Sequence, residues 1–371
     1  MRVLLTGGGT GGHVNPALAI ADIIKQNDGG AEIAFVGTSK GIENRLVPKA
    51  GYALYHVEIQ GIRRSLSLSN IKTAYLILTS RQKAKRLIEE FRPDIVIGTG
   101  GYACWPPLEA AAKLGIPTMV HESNAIPGIA VRRLQSRVDT ILTNFESTAH
   151  QIKTDRRVVA VGNPIARSFG TVDKQEARQR LGIPDTVRTV ILSYGGSLGA
   201  TEVNRAALSL MKSFSSVRPD VMHVHATGNR EYEEVKQRFD ENGLGEYQNL
   251  VLQEYIYDMP LYMAAADIVI CRAGAMTISE VAANGKVAIF IPSPNVTDNH
   301  QYKNAKLLYD AGASGLLEEK ELIGDRLARE VAYLVDNEEQ RKRMEEAVTA
   351  FAKPDVGKRI WQEITALCRK K

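Results

Sequence analysis

Cysteine is scarce in this chain of 371 residues. The three present, Cys104, Cys271 and Cys368, are odd in number, far apart and without metal-ligand spacing. That excludes a disulfide framework and points to a reducing cytoplasm, with three small buried side chains. No apolar run approaches the roughly 18 residues that span a bilayer. The first six residues run straight into glycines, which does not read as a signal peptide. Two acidic patterns are also missing. There is no Asp-x-Asp pair of the kind that holds a nucleotide diphosphate through a metal, so no metal ligand and no cofactor are expected. The predicted second strand, 31–36, ends in Gly37-Thr38-Ser39-Lys40, with no carboxylate for an adenosine ribose. This argues against a dinucleotide site, although Ser39 and Lys40 suit a 2′-phosphate and keep an NADP oxidoreductase as a rival.

What is present begins with a short apolar strand, Arg2-Val3-Leu4-Leu5-Thr6, opening into Gly7-Gly8-Gly9-Thr10-Gly11-Gly12-His13. A helix is predicted from about Pro16. Five glycines in six positions leave almost no Cβ atoms in the way of a ligand. Free amides and the positive end of a helix dipole converge there, which makes an anion site. His13 adds a titratable imidazole that a plain phosphate cradle would not need; a helix-capping histidine is the structural alternative.

The length predicts two domains, and 44% hydrophobic with 24% charged residues is the composition of a soluble globular protein. Apolar strands alternate with helical patterns, as in parallel α/β proteins. In the first half strands are predicted at 3–6, 32–36, 95–97, 118–121 and 140–142, with helices at 71–90 and 107–113. The pattern breaks around 158–164, and a polar stretch to 184 reads as an interdomain connection. The second half begins again in the same way, with a strand at 190–194, a glycine loop at 195–199 and a helix at 200–212. Further strands are predicted at 222–225, 249–253, 268–271 and 287–291. Each half therefore starts a Rossmann-like unit with its own glycine loop.

After the strand at 268–270 comes Cys271-Arg272-Ala273-Gly274-Ala275-Met276-Thr277-Ile278-Ser279-Glu280. A diphosphate at this helix start would meet free amides and the dipole, with Arg272 as a supplementary charge. Glu280 can accept from ribose hydroxyls, or form half of a capping box with Thr277. The polar loop at 290–305 is dense in uncharged donors and acceptors that suit sugar hydroxyls.

The net charge of +5 is uneven: residues 60–92 hold eight Lys/Arg against Glu89 and Glu90. They enclose Ala74-Tyr75-Leu76-Ile77-Leu78, a pattern that suits an anionic membrane surface or an amphipathic core helix with solvated lysines. No nucleic-acid partner is expected.

Seven motifs occur in order: Gly-Gly-Thr-Gly-Gly-His at 8–13, Gly-Thr-Gly-Gly-Tyr at 98–102, His-Glu-x-Asn at 121–124, Gly-Asn-Pro at 162–164, Gly-Gly-Ser-x-Gly-Ala at 195–200, Arg-x-Gly-Ala-x-Thr-x-x-Glu at 272–280 and Asn-His-Gln-x-x-Asn-Ala at 299–305. With them the chain resembles the MurG family, the UDP-N-acetylglucosamine:undecaprenyl-pyrophosphoryl-N-acetylmuramoyl-pentapeptide N-acetylglucosaminyltransferases of peptidoglycan synthesis. The resemblance implies an α/β GT-B fold, two Rossmann-like domains facing across a cleft. It gives an acceptor and membrane-binding domain over 1–163 and a domain over 164–355 for the donor, UDP-N-acetylglucosamine (UDP-GlcNAc), with the last helix, 356–371, packing back on the first. The acceptor would be lipid I and the product lipid II. Thr10, Gly11 and Gly12 would lie against the donor sugar or the acceptor diphosphate, and Asn124 against the sugar. Ser197 would approach the nucleotide diphosphate, Ile256 would hold uracil through its backbone, and Gln301 would hold sugar hydroxyls. Ala275, Met276 and Thr277 would bind diphosphate and Glu280 ribose. Tyr102, Arg167, Met259, Arg272, Ile278, Ser279 and Asn304 complete the substrate-binding set. His13 is the leading candidate for general base, with Glu122 as the alternative.

The resemblance also implies a peripheral enzyme on the cytoplasmic side of the cell membrane. It would meet anionic lipid through 60–92 and work beside a cell-wall synthesis complex. Five places depart from the family pattern, at Asn15, Ser123, Leu198, Trp105 and Ile165-Ala166, all near ligand sites. A transferase with another lipid acceptor such as diacylglycerol, a divergent low-activity copy, and a nonenzymatic membrane scaffold stay open at this point.

Overall fold

Short buried strands alternate with amphipathic helices to build two parallel sheets. A computed structural model describes residues 1–59 and 69–369, and of 69–78 the backbone alone. Met1–Ile165 with Lys353–Lys371 form one unit, and Ala166–Ala352 the other.

The first unit runs β1 (Arg2–Thr6), α1 (Gly11–Asn27), β2 (Glu32–Gly37), α2 (Glu43–Lys49), β3 (Ala53–His56) and α3 (Ser69–Phe91). It continues through β4 (Ile95–Gly98), α4 (Trp105–Lys113), β5 (Thr118–Glu122), α5 (Ile129–Leu134), β6 (Thr140–Thr143), α6 (Glu146–Ala149) and β7 (Arg157–Ala160). The sheet order is β3-β2-β1-β4-β5-β6-β7. Side chains alternate along each strand and so supply two cores. Val3, Leu5, Phe35, Ile95 and Ile97 lie under α1 with Val14, Ala17 and Ile24. Leu4, Val36 and Val96 face Ala84 and Ile88 of α3 and Leu108 of α4.

The second unit runs α7 (Lys174–Arg180), β8 (Thr189–Tyr194), α8 (Thr201–Ser213), β9 (Val221–Ala226), α9 (Tyr232–Glu241), β10 (Leu250–Gln253) and α10 (Met259–Ala265). Then come β11 (Ile268–Cys271), α11 (Ala275–Ala283), β12 (Val287–Phe290), α12 (His300–Asp310), β13 (Ser314–Leu316), α13 (Arg326–Asp336) and α14 (Glu338–Thr349). Its order is β10-β9-β8-β11-β12-β13. The last helix, α15 (Val356–Arg369), belongs to the first unit. Its Ile360, Ile364 and Leu367 share the core of α1, and Glu363 pairs with Arg157 of β7 at 2.6 Å.

Several sequence expectations are corrected. The helix after the first glycine loop starts at Gly11, not Pro16, so the glycines form its first turn and Pro16 lies inside it. Residues 157–160 are a sheet-edge strand rather than part of a break. The supposed connection beyond 164 is packed structure, since Ala177, Ile183 and Val187 share a core with Leu261 and Ala264. The short strands β3 and β13 are additional to those predicted. In α3, Ala84 and Ile88 are core residues while Lys83, Lys85 and Arg86 are exposed. Arg81 pairs with Glu109 at 2.7 Å and lies 4.7 Å from the centre of the Trp105 ring. The rest of the proposed membrane stretch falls outside the described residues: Arg63 and Arg64 wholly, and Lys72 and the apolar run 74–78 in their side chains.

The second unit buries a polar chain. Ser193 Oγ lies 2.8 Å from both His223 Nε2 and His225 Nδ1, and His225 Nε2 lies 3.1 Å from Asn204 Oδ1. Burial, with the neighbouring His225, takes His223 down to about 3, and burial takes His225 and the first unit's His121 to about 4. The unfolded chain binds these protons near pH 6.5 and the folded one only near 3–4. Stability is therefore full above about pH 6.5 and falls below it by about 1.4 kcal/mol per histidine per pH unit. Glu122 and Glu280, raised mainly by burial, act in the opposite sense. The histidine share is read by comparing His223→Asn with the parent chain in denaturant melts at pH 6.5 and 5. The variant should lose about 1.4 kcal/mol less per pH unit; equal losses would rule out a neutral buried His223.

Candidate active site

In both sheets the strand order reverses once, between β1 and β4 and between β8 and β11. Open α/β sheets bind ligands beyond the carboxyl ends of the strands at such a point. In the first unit the loop at 7–13 follows β1, Gly98-Thr99-Gly100-Gly101-Tyr102 ends β4, and Glu122 ends the adjacent β5. Thr10, Gly11, Gly12, His13, Tyr102, Glu122 and Asn124 therefore gather along one sheet edge.

Thr10 is the N-cap of α1, and its hydroxyl makes no capping hydrogen bond. The amides of Gly11 and Gly12 have no acceptor within the helix, as at any helix start. His13 is half-buried in this first turn, and its carbonyl accepts from Thr99 Oγ1 at 2.6 Å. Its ring lies against the second glycine loop: a Cβ on Gly100 would stand 2.9 Å from His13 Nδ1, and one on Gly101 3.1 Å from Cδ2. Those glycines also have φ of +105° and +76°, which side chains oppose. Tyr102 is half exposed beside them.

Glu122 sits differently. It is buried, and its two oxygens accept from Asn124 N (3.0 Å), Asn124 Nδ2 (3.0 Å) and Gly128 N (2.7 Å). Burial raises its pKa and these hydrogen bonds oppose the rise. Its carboxylate orders the loop that carries Asn124. His121 Nε2 donates to Gly162 O, 2.9 Å away, and so ties two motifs together within the sheet edge.

Glu43 escaped the sequence reading. The carboxylate missing at the end of the second strand is present six residues on, and it faces the protein. Glu43 is fully buried and accepts from Gly9 N (2.9 Å), Thr38 N (2.8 Å) and Thr38 Oγ1 (2.8 Å). Burial would raise its pKa, but the Thr38 and Gly9 amides outweigh it and the net shift is downward. The signal available in sequence was an acid preceded closely by Gly37 and Gly41.

In the second unit the 195–199 loop after β8 and the start of α11 after β11 lie side by side, with Tyr194 and Cys271 in register. Ser197 is exposed in the first of these. Gly274 is the N-cap of α11, without a side-chain cap, and the first-turn amides of a helix have no acceptor within the helix itself. Thr277 and Glu280 lie inside the helix, which removes the capping-box alternative, since that box needs Thr277 at the N-cap. Glu280 is half-buried, and burial holds its carboxyl at about 7. Beside it lies the buried Tyr194 hydroxyl, next to the buried Cys271 thiol.

Other expected contacts are committed to the protein itself. Arg272 pairs with Glu319 at 2.5 Å and donates to Ile291 O at 3.1 Å. Asn304 is fully buried and donates to Ala273 O, supporting the loop before α11, and Ile278 is buried under that helix. Ser279 Oγ returns to Ala275 O. Gln301 Oε1 accepts from Ser293 N at 2.9 Å and shapes the loop after β12. Ile256 is buried and Met259 opens α10, both beyond the end of β10. Arg167 is exposed near the start of the second unit and belongs to neither cluster.

Comparison with known proteins matches residues 3–143 to the glycosyltransferase family 28 N-terminal domain and 190–360 to the family 28 C-terminal domain. A protein of Thermoanaerobacter sp. (strain X514) is 39% identical over 99% of this chain and all of its own length. It is named UDP-N-acetylglucosamine--N-acetylmuramyl-(pentapeptide) pyrophosphoryl-undecaprenol N-acetylglucosamine transferase. A protein of Bacillus thuringiensis (strain Al Hakam) with that name and the suffix 2 is 37% identical over the full lengths of both chains. Among solved structures, Acinetobacter baumannii MurG aligns over 100% of this chain and 99% of its own, with a TM-score of 0.78 and 28% identity. A Neisseria meningitidis UDP-GlcNAc 2-epimerase bound to UDP-GlcNAc aligns over 99% and 100%, with a TM-score of 0.65 at 16% identity, a likeness of fold alone.

Proposed function

Because the chain belongs to glycosyltransferase family 28, and within it to the MurG family, we propose that it moves N-acetylglucosamine from UDP-GlcNAc to lipid I, forming lipid II for peptidoglycan. The observation that carries this is whole-length identity of 39% to a transferase so named. Four of the seven motifs, at 8–13, 98–102, 195–200 and 272–280, fall at the switch points of the two sheets.

The reaction is a single displacement that inverts the α-linked donor. The acceptor oxygen bonds to the anomeric carbon as the bond from that carbon to the UDP oxygen breaks. The acceptor proton goes to a base, and negative charge grows on UDP. The N-terminus of α11 and the 195–199 loop are suited to that charge through the helix dipole and their backbone amides. Glu280, without a hydrogen bond to its carboxylate within the protein among the described residues, is suited to ribose hydroxyls. His13 is the base: it stands in the first turn of α1 at the sheet edge, its ring against Gly100 and Gly101, while Glu122 is buried and orders the loop that carries Asn124. The amides of Gly11 and Gly12 take the acceptor diphosphate.

Incubation with labelled UDP-GlcNAc and lipid I tests the reading. Label should appear in a lipid-extractable product at the rate UDP is released; label remaining in water-soluble sugar alone would refute it.

No helix among the described residues is long and apolar enough to cross a membrane. The enzyme meets its lipid acceptor as a peripheral protein at the cytoplasmic face, through the basic stretch 60–92. Binding to vesicles should require anionic lipid and fall as salt rises from 0.05 to about 0.5 M. Binding unchanged by salt, or equal on neutral vesicles, would remove that stretch from the membrane contact.

A further inference from the structure

The buried acid that follows β2 has no part in the chemistry above, yet it grips the loop on which that chemistry rests. Three chain segments leave room for the Glu43 carboxylate. A Cβ on Gly8 would lie 2.5 Å from its Oε1, one on Gly37 2.6 Å from its Cγ, and one on Gly41 would overlap its Oε2. Each oxygen has a separate task. Oε1 takes both Thr38 donors and fixes the turn after β2, while Oε2 takes the amide of Gly9. Gly9 has φ +88° and is the last residue before the N-cap of α1. Its orientation sets the direction in which the chain enters that helix, and so the placement of the open amides and of His13. A carboxylate reaching inward from the end of β2 occupies the part of the fold where a dinucleotide enzyme would hold ribose.

We propose that Glu43 is a positioning residue for glycosyl transfer, its Oε2 holding Gly9 so that the 7–13 loop presents α1 and His13 to the acceptor. This rests on the reading of that loop as the acceptor side. Misplacement of a reacting group by about 1 Å can cost about 10²-fold in rate, so one hydrogen bond at this point has leverage on turnover.

Glu43→Gln separates the two tasks. The amide oxygen can keep both Thr38 donors, which leaves the NH2 group facing the Gly9 N–H, donor against donor. With saturating UDP-GlcNAc, kcat should fall by about 10–100-fold. UDP affinity should be unchanged, and amide hydrogen exchange over 7–13 should be faster. Thr38→Val removes one donor to Oε1 and leaves Gly9 held, so its kcat should stay near that of the parent. Gly8→Ala, whose Cβ presses on Oε1, is the second arm should the glutamine variant not fold, and it should also lose turnover.

Parental kcat in Glu43→Gln or, failing its folding, in Gly8→Ala overturns the proposal. So does an equal loss in Thr38→Val, which would make the effect one of the β2 turn. His13→Ala is run in parallel. If it is slow while Glu43→Gln is not, only this inference fails. If the parent chain transfers nothing to lipid I, the functional reading fails, and exchange at 7–13 still reports whether Glu43 holds Gly9.

Discussion

Replacing His13 with alanine should lower kcat for transfer to lipid I by about 10²–10⁴-fold, the usual worth of a positioned general base, and leave UDP binding unchanged. The imidazole is carried on the first turn of α1 and rests on two glycines whose backbone leaves no room for a Cβ, so the ring has a defined place at the sheet edge. Nucleotide contacts are expected on the other unit, at 195–199 and 275–280. The loss should therefore fall on kcat rather than on donor affinity. His13→Gln distinguishes proton removal from mere hydrogen bonding to the acceptor diphosphate. Glutamine can donate a hydrogen bond but takes up no proton at neutral pH. A base at this position leaves the glutamine variant as slow as the alanine variant; recovery in glutamine would make His13 a binding group.

The second large effect concerns Glu280. Its carboxyl is held at about 7 by burial alone, and ribose hydroxyls donate best to its ionised form. Binding therefore favours loss of the proton. UDP affinity should rise as pH increases through about 7, weaken by up to about tenfold for each unit below it, and release protons near neutrality. Glu280→Gln removes a hydrogen bond to a charged acceptor, worth about 1.5–3 kcal/mol, or about 10–150-fold in UDP affinity, and should flatten the pH dependence. Calorimetric titration at pH 6, 7 and 8 in two buffers of different ionisation heat reads all three effects. A flat parent curve, or unaltered affinity in the glutamine variant, would take Glu280 away from the ribose.

The parallel sheets were legible because central strands are buried on both faces and read as unbroken apolar runs; β1, β4, β8 and β11 are of this kind. Short edge strands such as β3, exposed along most of its length, carry no such signal. The start of α1 was misplaced because glycine is a poor helix former and proline favours a first turn. In this chain the first turn of α1 opens on two glycines, with Thr10 as its N-cap. The candidate site was legible as a set of loops. What each side chain does within it depended on partners remote in sequence. Arg272 looked available for diphosphate until Glu319, 47 residues away, was found beside it. Glu43 carries no motif of its own, and its task shows only in the Gly9 amide, 34 residues back, on its carboxylate.

The most direct measurement is a competition in one vesicle preparation holding lipid I and diacylglycerol together, supplied with labelled UDP-GlcNAc. The label should enter lipid II alone, with the new sugar β-linked, and should fail to do so in the His13→Ala variant over the same time. Label in a glycosyl diacylglycerol with lipid I untouched, or an α-linked product, would contradict the assignment.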